Sequence, residues 1–252
     1  MTRTLAISMA VVLTAGLCGA CSKDDDGVSP GNATLARRPN ACVHVDPAAI
    51  DPADFVSDIT NPYLPFTPGT EYVYRSDDGS EETRTFVTHD TRVIEGVTTT
   101  VVHDRVFTDG ELTEDTFDWY AQDKDGNVWY FGEDTKELEN GVVVSTEGSF
   151  EAGVDGAQAG IAMLACPRVG DEYRQEFAVG VAEDQGRVKN LSVDGIIVAF
   201  GTFDNTLQIL ETTPLEKGVR EYKYYASGTG LVLEATPGGK SRNELVEINQ
   251  IP

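Results

Sequence analysis

From Glu71 onward, β-branched and aromatic residues come in short bursts that polar residues interrupt. Tyr72-Val73-Tyr74, Thr85-Phe86-Val87, Val97 to Phe107, Leu112 to Tyr120 and Val128 to Phe131 all carry this pattern, which favours extended chain. Between them stand Asp78-Gly79, Glu95-Gly96, Asp109-Gly110, Asp125-Gly126 and Asn140-Gly141, with glycines spaced 17, 14, 16 and 15 residues apart. Such pairs supply the positive φ of tight hairpin turns. A turn every fifteen or so residues predicts strands of about ten, longer than the usual five or six. Long antiparallel strands twist, and a meander of them curls towards a barrel. The expected fold is all-β: a long-stranded antiparallel meander forming a curved or barrel-like sheet, by analogy lipocalin-like or clam-like. No sequence repeat accompanies the rhythm, which argues against a propeller.

Beyond residue 150 the pattern breaks. In EAGVDGAQAGIAML (Glu151–Leu164), Gly153, Gly156 and Gly160 weaken a helix despite the alanines. The expectation there is a long ordered loop, or a short helix, crossing one end of the sheet. Strands are predicted again at Glu172–Val179, Arg187–Val193, Ile196–Phe200, Thr206–Thr212, Arg220–Ala226, Gly230–Glu234 and Glu244–Ile248.

The first residues follow a different logic. Thr2-Arg3 precedes a brief apolar run, Leu5 to Leu17, which ends in Cys18-Gly19-Ala20-Cys21 and the polar Ser22-Lys23-Asp24-Asp25-Asp26. The run is too short for a membrane span of about 20 residues and has small residues before a cysteine, so it reads as a cleaved signal over residues 1–20. The stretch resembles the lipobox of bacterial lipoproteins, with Cys21 as the lipidated residue. Cys18 is a departure, because that position usually carries leucine. The resemblance implies export and a membrane anchor of several acyl chains, palmitate among them, which hold far better than one chain. Ser22 after the cysteine implies the outer membrane or cell surface, in a cell with two membranes. The alternative is an ordinary secretory signal and a soluble product.

Residues 21–40 are polar and read as a flexible tether. Residues 41–252 are expected to form a single β-rich domain led by an arm over 41–70. In that arm Asp46 to Asp58 suits a helical turn or two. The prolines of NPYLPFTPGT (Asn61–Thr70) exclude regular helix and central strand.

The chain has 252 residues, with 19 basic against 42 acidic and a formal net charge of −23. Loss of Arg3 with the signal deepens the imbalance. Nucleic acid and anionic lipid headgroups would be repelled, so neither is an expected partner. Cys42 and Cys166 remain after the anchor cysteines. In an oxidising compartment they are expected to pair, with two buried thiols as the alternative.

Chemical motifs are sparse. No C-x-x-C or H-x-x-x-H spacing suggests zinc. There are three histidines, no G-x-S-x-G elbow and no phosphate-loop or dinucleotide fingerprint. Asp123-x-Asp125-Gly126-Asn127 opens like a calcium loop, but its glycine comes one place early and its flanks read as strand; a hairpin turn explains it more simply. No cofactor is expected, with calcium the alternative.

The best polar constellation lies in the middle of the meander. Val101, His103, Arg105 and Phe107 share one face of a strand, with Val102, Asp104 and Val106 on the other. On the next strand, Asp115, Phe117 and Trp119 oppose Glu114, Thr116, Asp118 and Tyr120. Neither strand divides cleanly into apolar and polar faces. One reading is cross-strand ion pairs, such as Arg105 with Asp115 or Asp118, on a solvated face. Another is a ligand cavity lined by mixed polar and aromatic groups. A third is acid–base catalysis by two carboxylates, as in glycosidases, drawn from Glu114, Asp118, Glu133, Asp134, Glu151 and Asp155.

The phrases NPYLPFTPGTEYVY, EDTFDWYAQDKDGNVWYFGED, GSFEAGVDGAQAGI and EYKYYASGTGLVLE resemble a group of exported bacterial lipoproteins of uncharacterised function. The likeness covers most of the domain and implies no reaction. Charged residues among glycines on a crossing loop draw attention to Glu151 and Asp155, with Arg174 and Glu176 as salt partners. The candidate ligand-binding residues are therefore Arg105, Asp118, Trp119, Tyr120, Glu151, Asp155 and Arg174. The leading expectation is an anchored cell-envelope domain, not an enzyme, that binds a small molecule or a protein. The alternatives are a secreted carboxylate-dependent hydrolase, assisted by calcium, and a structural spacer.

Overall fold

A computed structural model describes residues 50–251. The predicted signal, Cys21, the tether, Cys42 and the first part of the arm lie outside these residues.

The described chain is nearly all β. The arm begins with a 3-10 turn at Pro52–Asp54, capped by the Asp51 carboxylate accepting from Ala53 N, and continues as β1 (Phe55–Val56). Then come five long strands: β2 (Thr70–Ser76), β3 (Glu81–Ile94), β4 (Val97–Thr108), β5 (Glu111–Asp123) and β6 (Val128–Glu139). Two short strands follow, β7 (Val142–Ser145) and β8 (Phe150–Glu151), and then β9 (Gln158–Met163), β10 (Glu172–Arg174) and β11 (Glu176–Phe177). The last third holds β12 (Gln185–Val193), β13 (Ile196–Val198), β14 (Gly201–Phe203), β15 (Thr206–Thr212), β16 (Arg220–Ala226), β17 (Gly230–Ala235) and β18 (Arg242–Gln250).

The turn signals act as their residue types dictate. At Glu95-Gly96, Asp109-Gly110 and Asn140-Gly141 both residues take positive φ, as a two-residue hairpin requires. Among the described residues one antiparallel sheet of 16 strands results, with the β13–β14 hairpin outside it. Its main path runs β10-β12-β15-β16-β17-β18-β2-β3-β4-β5-β6-β9-β11. The last strand, β18, pairs with the first long one, β2, so the two meanders join at the chain's ends. The two ends of the path, β10 and β11, are neighbours in sequence, separated by Gln175 alone. The sheet thus returns on itself and is nearly closed into a barrel.

That closure corrects the expectation for Glu151–Leu164. Its first half is a pair of turns, but its second half is β9, which pairs with β6 and β11. The small residues are there for close approach. A Cβ on Gly160 would lie 2.2 Å from the Gln175 carbonyl oxygen, so only glycine lets the closing segment cross.

Two apolar clusters fill the two faces. Inside the barrel are Tyr72, Tyr74, Val87, Val102, Tyr120, Tyr130, Leu207, Ile209 and Leu245. Outside β4, β5, β6 and β9 lie Val101, Trp119, Trp129, Phe131 and Ile161, covered by Ile50 and Phe55 of the arm. Phe55 meets Trp129 and Phe131 edge-on at 5.8 and 5.6 Å. Strands buried on both faces have no solvated side, which is why β4 and β5 lack a clean alternation.

The proline-rich part of the arm seals one end of the barrel. Buried Asn61 binds it there: its Nδ2 donates to the carbonyls of Gly126 and Leu164, and its backbone N donates to Gln122 Oε1 at 2.7 Å. Leu64 and Phe66 are thereby pushed into the inner cluster.

Candidate functional site

The barrel holds a partly open cavity of about 130 Å³. Register places its side chains in two tiers. Towards the sealed end stand Phe66, Tyr72, Tyr120 and Tyr225, with Leu64 and Pro65 as the floor. Phe66 packs edge-on against Tyr120 at 5.0 Å, and Tyr72 donates its hydroxyl proton to the Pro65 carbonyl. Towards the other end, neighbouring strands bring Ser76 beside Asn243, Asn243 beside Glu234, Glu234 beside Lys223, and Glu221 beside Glu211. Glu81, Asp104 and Asp118 complete the wall.

This upper tier is acidic. Its buried cation is Lys223, whose ammonium reaches Glu211 at 2.8 Å and Glu234 at 3.3 Å. Burial alone would lower the Lys223 pKa, but Glu211 and Glu234 outweigh it and hold the ammonium well above its ordinary value. Gln175 donates to Glu211 at 2.7 Å. Arg242 also borders the cavity, but its guanidinium is held by Glu244 at 2.8 Å and by the Ile197 carbonyl. Among the described residues Glu81, Asp104, Asp118 and Glu221 make no salt bridge, although the Lys223 charge acts on Glu221. Burial, followed by the charge of Glu234, pushes Glu81 up to about 7 and Glu221 to about 9. Asp104 is also raised well above its ordinary value, by burial and then by Asp118. Two oxygens on side chains that line this space, Glu221 Oε2 and Gln175 Oε1, are buried without a hydrogen-bond partner.

A second group lies behind Asp118. The Tyr130 hydroxyl is 2.6 Å from Asp118 Oδ1 and 3.0 Å from Glu133 Oε2. A phenol donates one proton, so satisfying both contacts requires a proton on one of the two carboxyls. Burial raises Asp118 to about 7 and Glu133 well above its ordinary range, so one shared proton at neutral pH fits this geometry. Glu176, fully buried, has no partner for either carboxylate oxygen, and burial also pushes it up.

The seven candidates are divided by the two faces of the sheet. Asp118 and Tyr120 line the cavity. Trp119, their chain neighbour, points outward and lies beneath the Arg92 guanidinium at 4.2 Å. Arg105 also faces outward; it pairs with Glu71 at 3.3 Å rather than with Asp115 or Asp118, and Asp115 lies 2.6 Å from His103 Nε2. Glu151 is joined to Arg92, not to Arg174. Asp155 is exposed at φ 51° in the turn before β9. Arg174 stacks on Phe177 at 4.1 Å and donates to Gln158. Glu151, Asp155 and Arg174 are therefore not part of the cavity. Cys166 is exposed in the loop after β9, while its expected partner, Cys42, lies outside the described residues. In the calcium-like loop, Asp123 accepts from Asn127 N, Asn127 Nδ2 and Trp129 Nε1, which fixes a hairpin turn. Among the described residues no group of three or more metal-binding side chains converges.

Of the six acids considered for catalysis, Asp118 and Glu133 meet at one hydroxyl. The lining residues Glu81, Glu211, Glu221, Lys223 and Glu234 were not singled out from sequence. The signal for some of them was present: Glu221, Lys223 and Tyr225 occupy alternate positions of one strand, mixing charge and ring on one face. Comparison of the chain with protein-family models, with curated proteins and with solved structures gives no match.

Proposed function

We propose that this protein is an exported cell-envelope lipoprotein, anchored through Cys21, whose barrel binds a small molecule in its lumen without chemical conversion. The observation that supports binding most is the partly open space of about 130 Å³ within the barrel, with rings at one end and polar groups at the other. Convergent polar groups in a largely apolar concavity are the usual makings of a ligand site. Buried oxygens lacking partners, as on Gln175 and Glu221, are costly in a domain that encloses nothing. The test is native mass spectrometry of the protein purified from its host. A retained small molecule, lost when Ala162 on the cavity wall is replaced by phenylalanine, is the expected result. A chain that carries no ligand, together with unchanged melting in host extract, sinks the reading. Incorporation of a fatty-acid probe that Cys21→Ala abolishes tests the anchor separately. A loss of two mass units by the non-reduced protein relative to the reduced one tests the Cys42–Cys166 bridge.

A second reading is a carboxylate-dependent hydrolase; among the described residues no group of side chains gathers in support of calcium assistance. One observation favours it: Asp118 and Glu133 flank the Tyr130 hydroxyl and burial raises both, the paired carboxyls that acid–base chemistry needs. Turnover of a model glycoside or ester that Asp118→Asn abolishes would support it. Equal turnover by the wild type and the variant would remove it.

A further inference from the structure

We infer that the ligand of the lumen is an organic cation about the size of a single ring, with its ammonium among the acids and its apolar part against the sealed floor. This rests on the lumen-binding reading above and names the chemistry of its ligand.

Size comes from the cavity. A space of about 130 Å³ is close to the engineered cavity of roughly 150 Å³ that admits benzene. Orientation comes from the two tiers. Phe66, Tyr72 and Tyr120 present ring faces and edges at the floor, while Glu81, Asp104 and Glu221 stand on the wall beyond them. Sign comes from counting charges that are already satisfied. Lys223 is held between Glu211 and Glu234, and Arg242 is held by Glu244, so neither is available to an anion. Glu81, Asp104 and Glu221 have no ion-pair partner among the described residues. Glu221 Oε2 and Gln175 Oε1 are buried acceptors with nothing donating to them. Burial keeps Glu221 and part of Glu81 protonated at pH 7; an ammonium offers three donors and a positive charge, and displaces those protons so that the acids pair with it. Tyrosine rings nearby add cation–π attraction, and an anion would meet carboxylates on most sides. A neutral ring would fill the floor but leave the acceptors unmatched.

The full-length lipidated protein in lipid nanodiscs, with empty nanodiscs as the blank, can be titrated with benzylammonium, benzyl alcohol and benzoate by ligand-observed NMR. These probes share one ring and differ in charge. Benzylammonium is expected to bind roughly tenfold more tightly than benzyl alcohol, and benzoate weakest of the three. Glu221→Gln should shrink the preference for the cation at least threefold while leaving benzyl alcohol unchanged. Ala162→Phe, checked for an intact melting transition, should abolish binding of all three. If benzyl alcohol or benzoate binds as tightly as benzylammonium, the cation assignment falls and lumen binding survives. If none of the three binds, or if Ala162→Phe leaves binding intact, the lumen reading falls and takes this one with it.

Discussion

Lys223 and Glu211 form an ion pair of 2.8 Å within the barrel, with side chains 8% and 9% exposed. Glu234 joins from the next strand at 3.3 Å. Charges so far from water are stable together and costly apart. Replacing Lys223 by methionine would leave two buried carboxylates facing each other. The expected loss is about 3–5 kcal/mol, measured by urea unfolding at pH 7. The double variant Lys223→Met, Glu211→Gln should recover part of that loss, because it removes one of the stranded charges. Equal stability of the wild type and Lys223→Met would mean that the pair is solvated.

The unpaired lumen acids give the domain an unusual pH profile. Glu81 and Asp118 titrate at about 7 in the folded chain and Glu221 at about 9, all above their ordinary values near 4. Between the unfolded and folded pKa values the native state holds more protons than the unfolded one, so stability falls as pH rises. The fall should begin near pH 4 to 5, continue through pH 7 for Glu81 and Asp118, and extend to pH 9 for Glu221. Surface acids act the other way but lower on the scale: hydrogen bonds from Ser80 pull Asp78 below its ordinary value, and for Glu82 partial burial is outweighed by Arg75 and Arg84, which pull it down. The expected Tm is several degrees higher at pH 5 than at pH 8. Glu221→Gln should flatten the profile above pH 7. A Tm that rises from pH 5 to pH 8 would show that the lumen acids stay ionised.

Barrel closure hangs on glycine at one position. Gly160 on β9 lies under the Gln175 carbonyl, and an added Cβ would meet that oxygen at 2.2 Å. The obstacle is backbone, which cannot swing aside as a side chain would. Gly160→Ala is expected to cost about 3 kcal/mol and to raise hydrogen exchange in β9, β10 and β11 together. Gly156→Ala is the control: it has φ 84° and open space around it, so it pays only backbone strain, about 1–2 kcal/mol, with no spread of exchange.

The hairpins were legible in the sequence because their chemistry is local. Asp109-Gly110 and Asn140-Gly141 need nothing from the rest of the chain to turn, and the strands between such pairs follow. Closure was not legible, because the alanine and glycine run of β9 looks the same whether it packs as a loop, a helix or a strand crossed at close range. The site was half legible for a related reason. Grouping Asp118 with Tyr120 on one face of β5 was correct, and alternation then assigns Trp119 to the other. Which face is the lumen depends on how the strand curves and on the arm over 50–56, and neither is written in β5. Glu151 and Asp155 drew attention as charges among glycines, yet one serves Arg92 and the other a turn. The acids that do line the lumen come from strands far apart in sequence, Glu81 on β3 and Glu221 on β16, and the β18–β2 pairing brings those halves together.

That joining of distant segments makes Asn61 the most exposed point in the design of the cavity. It is 3% exposed and ties the arm to two separate pieces of backbone and one side chain: its amide nitrogen donates to Gly126 O at 2.9 Å and to Leu164 O at 3.2 Å, and its own N–H donates to Gln122 Oε1. Asn61→Ala would leave two buried carbonyls without these donors, at a cost of about 2–3 kcal/mol. Asn61→Asp should be worse, since a carboxylate would face the same carbonyl oxygens with a negative charge. Because Leu64 and Phe66 form the floor a few residues later, loosening Asn61 should open the sealed end before the barrel melts. Hydrogen exchange would then rise in residues 61–70 while β2 to β5 stay protected, and a lumen probe such as benzylammonium would dissociate faster. Uniform exchange across the barrel in Asn61→Ala would mean that the arm and the sheet unfold as one unit, and that Asn61 stabilises the whole rather than the floor.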